Sequence, residues 1–437
     1  MTKIIVAAAP ATGHFTPVRA VAQDLVNRGH DVTLTSGSQF RAAAEATGAR
    51  FVPLHGIADF AADDEEKNFP EMADIPPGPE RLGFGVRNTF VRPMPDQHRT
   101  LQALLAEAGD EPVALVHELA FMGAWPVRLG APGLSPATVI GLGVVPLSLS
   151  SEDLAPFGLG QPPDDSPEGK VRNRAANRFF REEVFATTQQ YLVDVLASVG
   201  ATREPPFVID GLVTLPDRFL QLSVQGVDYP RGDLPPSVRY VGAPPPVTTR
   251  KGPLPEWWQD VLDARTVVVV SQGTAANKDF DDLVQPTLDA LADLDALVVA
   301  TLGRPARLDR VPANARVAEF IPFGELLPHA DVLVSNGGFG GVQQALSSGV
   351  PLVLAGLTED KMEVNARAAW TGAAIDLAVQ RPARADIARA VRTVLTDPSY
   401  RYRAARLAEE YARHDPFDAI EESVLELVAA SASTPGR

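Results

Sequence analysis

Apolar residues along this chain fall into short continuous runs, separated by longer stretches with helical spacing. KIIVAAA (Lys3–Ala9) reads as a buried strand, and Val18, Val21, Leu25 and Val26 give an apolar face to a helix over Pro17–Arg28. Pro17 suits a first helical turn and Gly29 a C-terminal stop. DVTLTS (Asp31–Ser36) follows at once as the next strand. A strand–helix–strand unit of this kind predicts parallel pairing and a doubly wound sheet. The pattern repeats with Phe40–Thr47 as helix into ARFVPL, a helix over Gln97–Glu107 into VALVHE, and a helix near Gly123–Leu129. The strands Phe219–Gln225 and Val238–Ala243 follow. Ile57–Val91 is irregular and rich in Phe, Pro and acidic residues, the profile of a long functional or mobile loop.

After Ala243 the pattern stops. APPPVTTRKGPLP (Ala243–Pro255) has three consecutive prolines followed by small and basic residues, which cannot continue a core element and read as a linker. A second α/β series then begins: TVVVVSQG, a helix over Leu283–Ala292, ALVVATLG, RVAEFIP, ADVLVSNGG, a helix after the glycines, PLVLAG and more helix. Each of these strands is a continuous apolar run, as expected when helices cover both faces of a sheet. The tail from Ser399 to about Ala430 is helical and amphipathic. The expected division is 1–242, a linker at 243–255, 256–398, and a C-terminal segment 399–437.

Composition narrows the function. The chain has 437 residues, 45% hydrophobic and 22% charged, and fits two domains better than one core. It has no apolar run of about 18 residues to span a membrane and no signal-peptide pattern, so a cytoplasmic location is expected. The absence of cysteine excludes disulfides, thiolate metal sites and cysteine nucleophiles. A net charge of −16 argues against a nucleic-acid partner. An anionic ligand must then be held locally, by backbone dipoles and a few cations.

Such a place is visible in DVLVSNGGFGGVQQALSSGVP (Asp331–Pro351), a strand, a turn with four glycines over Gly337–Gly341, and a helix. A turn so poor in side chains lets charged groups approach the backbone, and N–H groups opening a helix meet an anion. The segment reads as a cradle for a phosphate or diphosphate. The alternative is a glycine turn kept only for close helix–strand packing. A dehydrogenase would need a glycine-rich fingerprint after its first strand, where AAAPATGHFTP supplies only Gly13.

Five stretches, in order, carry a family resemblance: PATGHFTP, YPRGDLPPSVRYVGAPP, VVVVSQGT, FIPFGELLPHADVLVSNGGFGG and GVPLVLAGLTEDK. The chain resembles the inverting nucleotide-sugar-dependent glycosyltransferases of the glycosyltransferase-B (GT-B) fold that modify small natural products, including actinobacterial macrolide and antibiotic glycosyltransferases. The resemblance covers nearly the whole chain. It implies an α/β fold of two Rossmann-like, doubly wound domains facing across a cleft, acceptor-binding first and donor-binding second. It also implies that the C-terminal helix crosses back to the first domain. The substrates would be a nucleotide sugar, with uridine or thymidine diphosphate, and a small hydrophobic acceptor. The chain would act as a monomer or homodimer.

The resemblance also assigns roles. His14 would be the general base, since a hydroxyl is a poor nucleophile until its proton is removed; the alternative is a helix cap. Glu118, in ALVHELAF, stands where the family has an Asp that fixes the imidazole tautomer, and His117 beside it reads as structural. Around the donor would stand Gly13, Gly273, Thr274, Arg304, Ile321, Phe323 and the turn residues Asn336, Gly337, Gly338, Phe339, Gly340 and Gly341. Gln344, Asp360 and Lys361 complete the donor set. Three residues depart from the family: Asn336 replaces a usual His, Gly341 a Ser or Thr, and Gln344 a ribose-binding Glu. Lys361 stands where an amide is usual, and could pair with Asp360 or Glu363, bind the diphosphate, or meet a carboxylate on an unusual sugar. The acceptor would lie near Phe60, Phe84, Phe90, Phe121, Met122 and Trp125. Asp293-Leu294-Asp295 resembles a metal-binding Asp-x-Asp but reads as turn chemistry, so neither metal nor cofactor is expected. Two other readings stay open: a nucleotide-sugar epimerase of the same fold, and a non-catalytic glycosyltransferase-like auxiliary protein, which the three departures motivate.

Overall fold

The computed structural model describes residues 1–60, 68–76, 78–245, 253–273 and 277–433. Its strands form two sheets. The first contains β1 (Lys3–Ala7), β2 (Asp31–Ser36), β3 (Arg50–Pro53), β4 (Val113–Glu118), β5 (Thr138–Gly143), β6 (Arg218–Gln221) and β7 (Val238–Tyr240), in the order β3-β2-β1-β4-β5-β6-β7. The second contains β8 (Val267–Ser271), β9 (Leu297–Thr301), β10 (Ala315–Ala318), β11 (Val332–Ser335), β12 (Leu352–Leu354) and β13 (Ala374–Asp376), in the order β10-β9-β8-β11-β12-β13. All described pairings are parallel. This is the two-sheet, doubly wound α/β architecture that the alternation of apolar runs and helical stretches predicts. No described helix is long and apolar enough to cross a membrane.

Each sheet reverses its strand order once, between β1 and β4 and between β8 and β11. Ligands in open α/β sheets collect beyond the carboxyl ends of strands at such points. In the first sheet Ala7 pairs with His117, which sets Glu118 one step beyond the end of β1. In the second Ser335 pairs with Ser271, which sets Asn336 beside Gln272.

Three local expectations change. The first helix spans Thr12–Asn27 and contains Pro17, so it begins one turn earlier than the proline suggests. Pro17 cannot donate to the carbonyl of Gly13, while the buried face of Phe15, Val18, Val21, Ala22 and Leu25 holds the helix on the sheet. Second, the described parts of Ile57–Val91 are substantially helical. Pro79–Gly85 is an α-helix with Pro in its first turn, it runs into a wide turn over Val86–Val91, and Val86 and Val91 are buried in the first core. Third, the tail is two helices, Pro398–Tyr411 and Pro416–Ala432, divided where Asp415 accepts the N–H groups of Phe417 and Asp418.

The two tail helices pack on different cores. Ala404, Leu407 and Tyr411 join the cluster around β8, β11 and β12, whereas Ile420 and Val424 join Ile4, Val18, Leu25 and Ile140 in the first domain. Ion pairs of Arg28 with Asp418 and Glu421 and of Arg218 with Glu426, and a hydrogen bond between His30 and Glu421, fix the last helix there. Ile420→Ala should therefore cost about 2 to 5 kcal/mol. Urea denaturation of the whole chain should show a lower midpoint, and an unchanged midpoint would show that the helix is not part of the first core.

Candidate active site

His14 occupies the first turn of the Thr12–Asn27 helix, with its ring one-fifth exposed, and Glu118 ends β4 fully buried. His14 Nδ1 lies 2.5 Å from Glu118 Oε2. Glu118 is held from two further directions, Oε1 accepting the N–H of Ala9 at 2.8 Å and Oε2 that of Ala120 at 2.8 Å. Burial alone would push the Glu118 carboxyl up, but the charge and hydrogen bond of His14 and the two backbone donors hold it below its ordinary value. An ionised carboxylate only accepts, so Nδ1 carries the proton and Nε2 presents its lone pair away from Glu118. Phe90 meets the imidazole edge-on at a centroid distance of 6.0 Å.

Burial would lower the His14 pKa, yet Glu118 more than offsets this and raises it above 6.5, with smaller contributions from Asp360 and Glu359. Those two carboxylates belong to the half of the chain that carries the second sheet. Asp360 is half-buried, and burial pushes its carboxyl up to about 6 against the pull of Lys361. Lys361 is buried, pairing with Glu359 and donating to Thr358 at 3.2 Å. Its salt-bridge partner is thus Glu359 and not Asp360 or Glu363.

The glycine turn is shorter than the glycine string suggests. Gly338 caps the helix Phe339–Ser347, so Gly340 and Gly341 belong to its first turn. Added Cβ atoms at Gly338 and Gly340 would meet nothing within 4 Å, and one at Gly341 would lie 3.8 Å from the Phe323 ring. The N–H groups of the first turn have no partner within the helix. Gly337 differs. Its φ is +87°, and an added Cβ would lie 1.8 Å from Asn365 Oδ1. The opposing loop is just as close, since a Cβ on Gly356 would approach the Asn336 carbonyl oxygen at 2.4 Å. Asn336 donates from Nδ2 to the Gln272 carbonyl at 2.8 Å, and this bond ties the ends of β8 and β11 together.

The remaining sequence candidates divide. Gly13 stands exposed beside His14, Gly273 at the open end of β8, and Gln344 half-buried on the Phe339–Ser347 helix. Thr274 lies outside the described residues. Arg304 is engaged elsewhere, donating to the carbonyls of Asn277 at 3.0 Å and Lys278 at 2.8 Å and stacking over Phe280. Ile321 is buried in the second core. Phe60 and Phe84 are half-buried and linked edge-to-face through Phe69, a residue missed on the sequence. Phe121, Met122 and Trp125 are corrections: all three lie in the core. Phe121 packs with Ile5 and Leu101, and Met122 and Trp125 sit in the main first-domain cluster, so none presents a surface to an acceptor. Asp293 and Asp295 are exposed on the turn leading into β9, at the end of the sheet away from the cleft.

Residues 285–427 match the family model described as "Erythromycin biosynthesis protein CIII-like, C-terminal domain". The chain is 44% identical to UDP-glycosyltransferase 2 of Phaeomoniella chlamydospora, over 98% of this chain and 96% of that protein. It is 42% identical to 4'-demethylrebeccamycin synthase of Lentzea aerocolonigenes, over 94% and 96%. The chain belongs to the GT-B nucleotide-sugar glycosyltransferases. Its fold agrees: the calicheamicin glycosyltransferase CalG4 superposes with a TM-score of 0.70 at 20% identity, over 98% of each chain. The spinosyn rhamnosyltransferase SpnG, solved with thymidine diphosphate, gives 0.66 at 17% identity over 97% and 99%.

Within this glycosyltransferase the turn geometry makes a contrast testable by thermal unfolding. Gly337→Ala forces a side chain into the left-handed region and against Asn365, and should lower stability by about 1 to 3 kcal/mol or more. Gly340→Ala, facing open space, should unfold within a degree or two of the parent.

Proposed function

We propose that this glycosyltransferase transfers a hexosyl group, with inversion and without a metal, from a uridine or thymidine diphosphate sugar to a hydroxyl of a small hydrophobic natural product. The observation that carries this reading is the His14–Glu118 pair, in which a buried carboxylate holds Nδ1 and leaves Nε2 as a base. Uridine diphosphate is favoured over thymidine diphosphate because the relatives at 44% and 37% identity bear the names UDP-glycosyltransferase and UDP-glucosyltransferase.

In this reading the acceptor lies on the Phe60, Phe84 and Phe90 side of His14. Its hydroxyl oxygen attacks the anomeric carbon as Nε2 takes the proton, and the nucleotide diphosphate leaves from the opposite face. Glu118 stabilises the imidazolium that forms. The N–H groups of the Phe339–Ser347 helix and its dipole take up the charge on the departing diphosphate, and so supply the stabilisation a metal would otherwise give. Asn336 is committed to the Gln272 carbonyl, which leaves the diphosphate to backbone donors. Asp360 accepts from the sugar hydroxyls, and Gln344 bonds the ribose.

Three outcomes are expected. His14→Ala should cut transfer by roughly 100- to 10,000-fold while calorimetry shows nearly unchanged uridine diphosphate affinity; turnover close to the parent's would sink the base assignment. Because the base must be unprotonated, kcat/KM should rise with pH through an apparent pKa above 6.5. Glu118→Gln removes the charge that holds the His14 proton, so that acid limb should move to lower pH as kcat falls. A limb that stays in place would assign it to another group. Finally, in a thermal-shift screen, uridine diphosphate should raise the melting temperature more than guanosine diphosphate, and the reverse order would overturn the donor assignment.

A further inference from the structure

The helix Lys361–Trp370 touches three separate parts of the molecule. At its start Asp360 stands at the N-cap and the buried Lys361 pairs with Glu359. Midway, Asn365 donates to the Gly356 carbonyl at 3.2 Å, and its side chain blocks the space beside Gly337. Glu363 in its first turn and Arg367 in its last turn reach the first domain. Arg367 donates from Nε to Asp228 Oδ1 at 2.7 Å, and Nη1 pairs with Glu363 Oε2. The guanidinium lies over the Tyr229 ring, 4.4 Å from its centroid, a stacked cation–π contact.

Both carboxylates are held in turn. Asp228 Oδ2 accepts from the Tyr240 hydroxyl at 2.6 Å, and Glu363 Oε1 accepts the N–H groups of Gly158 at 2.7 Å and Gly160 at 2.8 Å. All three charged side chains are nearly inaccessible to solvent. A buried pair of this kind is geometrically demanding, because any shift leaves a desolvated charge unpaired. Asp360 and Arg367 are seven positions apart along this helix, roughly 10 Å of rigid rod at 1.5 Å per residue. Fixing one end therefore fixes the other.

We propose that Arg367 is a positioning residue: anchored on Asp228 and Glu363, it docks the Lys361–Trp370 helix on the first domain and so sets the position of Asp360 at that helix's start. The proposal rests on the cleft being the site of glycosyl transfer. It assigns the Gly158–Gly160 segment to the same assembly, because Glu363 binds that segment and Arg367 at once.

The test uses the full chain, uridine diphosphate, UDP-glucose and a small phenolic acceptor. Arg367→Met should bind uridine diphosphate, which lacks the sugar, within threefold of the parent, yet lose at least 30-fold in kcat. Small-angle scattering with uridine diphosphate should show a larger radius of gyration for this variant. Arg367→Lys should recover part of kcat, since it keeps the charge without the fork. Tyr240→Phe loosens Asp228 without stranding a charge, and should lower kcat three- to tenfold at an unchanged melting temperature; this variant decides the matter if Arg367→Met does not fold. A parent-like kcat in the folded variants would overturn the proposal. So would a loss of nucleotide affinity and melting temperature matching the loss of kcat, with parent-like scattering. His14→Ala serves as control: turnover there would defeat the base reading, while the scattering of Arg367→Met would still judge the docking.

Discussion

The cleft is organised around one buried charge. The Glu118 carboxylate has no solvent to stabilise it, so it must be met by donors, and the chain provides three from separate places: the backbone of Ala9 after β1, the backbone of Ala120 after β4, and the imidazole of His14. Because a buried carboxylate without such partners is very costly, the arrangement leaves little freedom to the loop after β1 or to the His14 ring. Tautomer, ring direction and the start of the first helix are settled together. The parallel pairing of β1 with β4 makes this possible, since it sets the strand ends level.

At the ends of β8 and β11, the same economy is reached with backbone. Asn336 spends its amide on Gln272, the helix begins at Phe339, and the space above Gly338 and Gly340 is open. What holds this turn is contact from behind, by Asn365 against Gly337 and by the Gly356 loop against Asn336. Of the three residues that depart from the family pattern, Asn336 braces this turn with its own side chain, while Gly341 and Gln344 stand on the helix that follows.

The strands were legible in the sequence because helices cover both faces of each sheet, which makes VVVVS or VALVHE continuous apolar runs. His14 and Glu118 were legible from a motif and a strand end. Proline and glycine misled where packing outweighed them: the helix runs through Pro17, and Pro79 opens a helix inside a stretch that reads as loop. Phe121, Met122 and Trp125 show a different limit, since an aromatic residue after a strand looks the same whether it lines a pocket or fills a core. The pairing of Arg367 with Asp228 had no local signal at all. The two are 139 positions apart, and only the docking of one domain on the other brings them together.

The helix Pro416–Ala432 has a consequence for synthesis. Its residues Ile420 and Val424 belong to the core built on β1, β4 and β5, so the amino-terminal half contains every strand of its sheet long before it contains its last core element. On the ribosome the carboxy-terminal half, emerging later, has its own strands and the Pro398–Tyr411 helix in hand first. The half that is translated first is thus the one whose core is completed last, and a nascent chain stalled before Pro416 would leave an apolar groove for chaperones to cover.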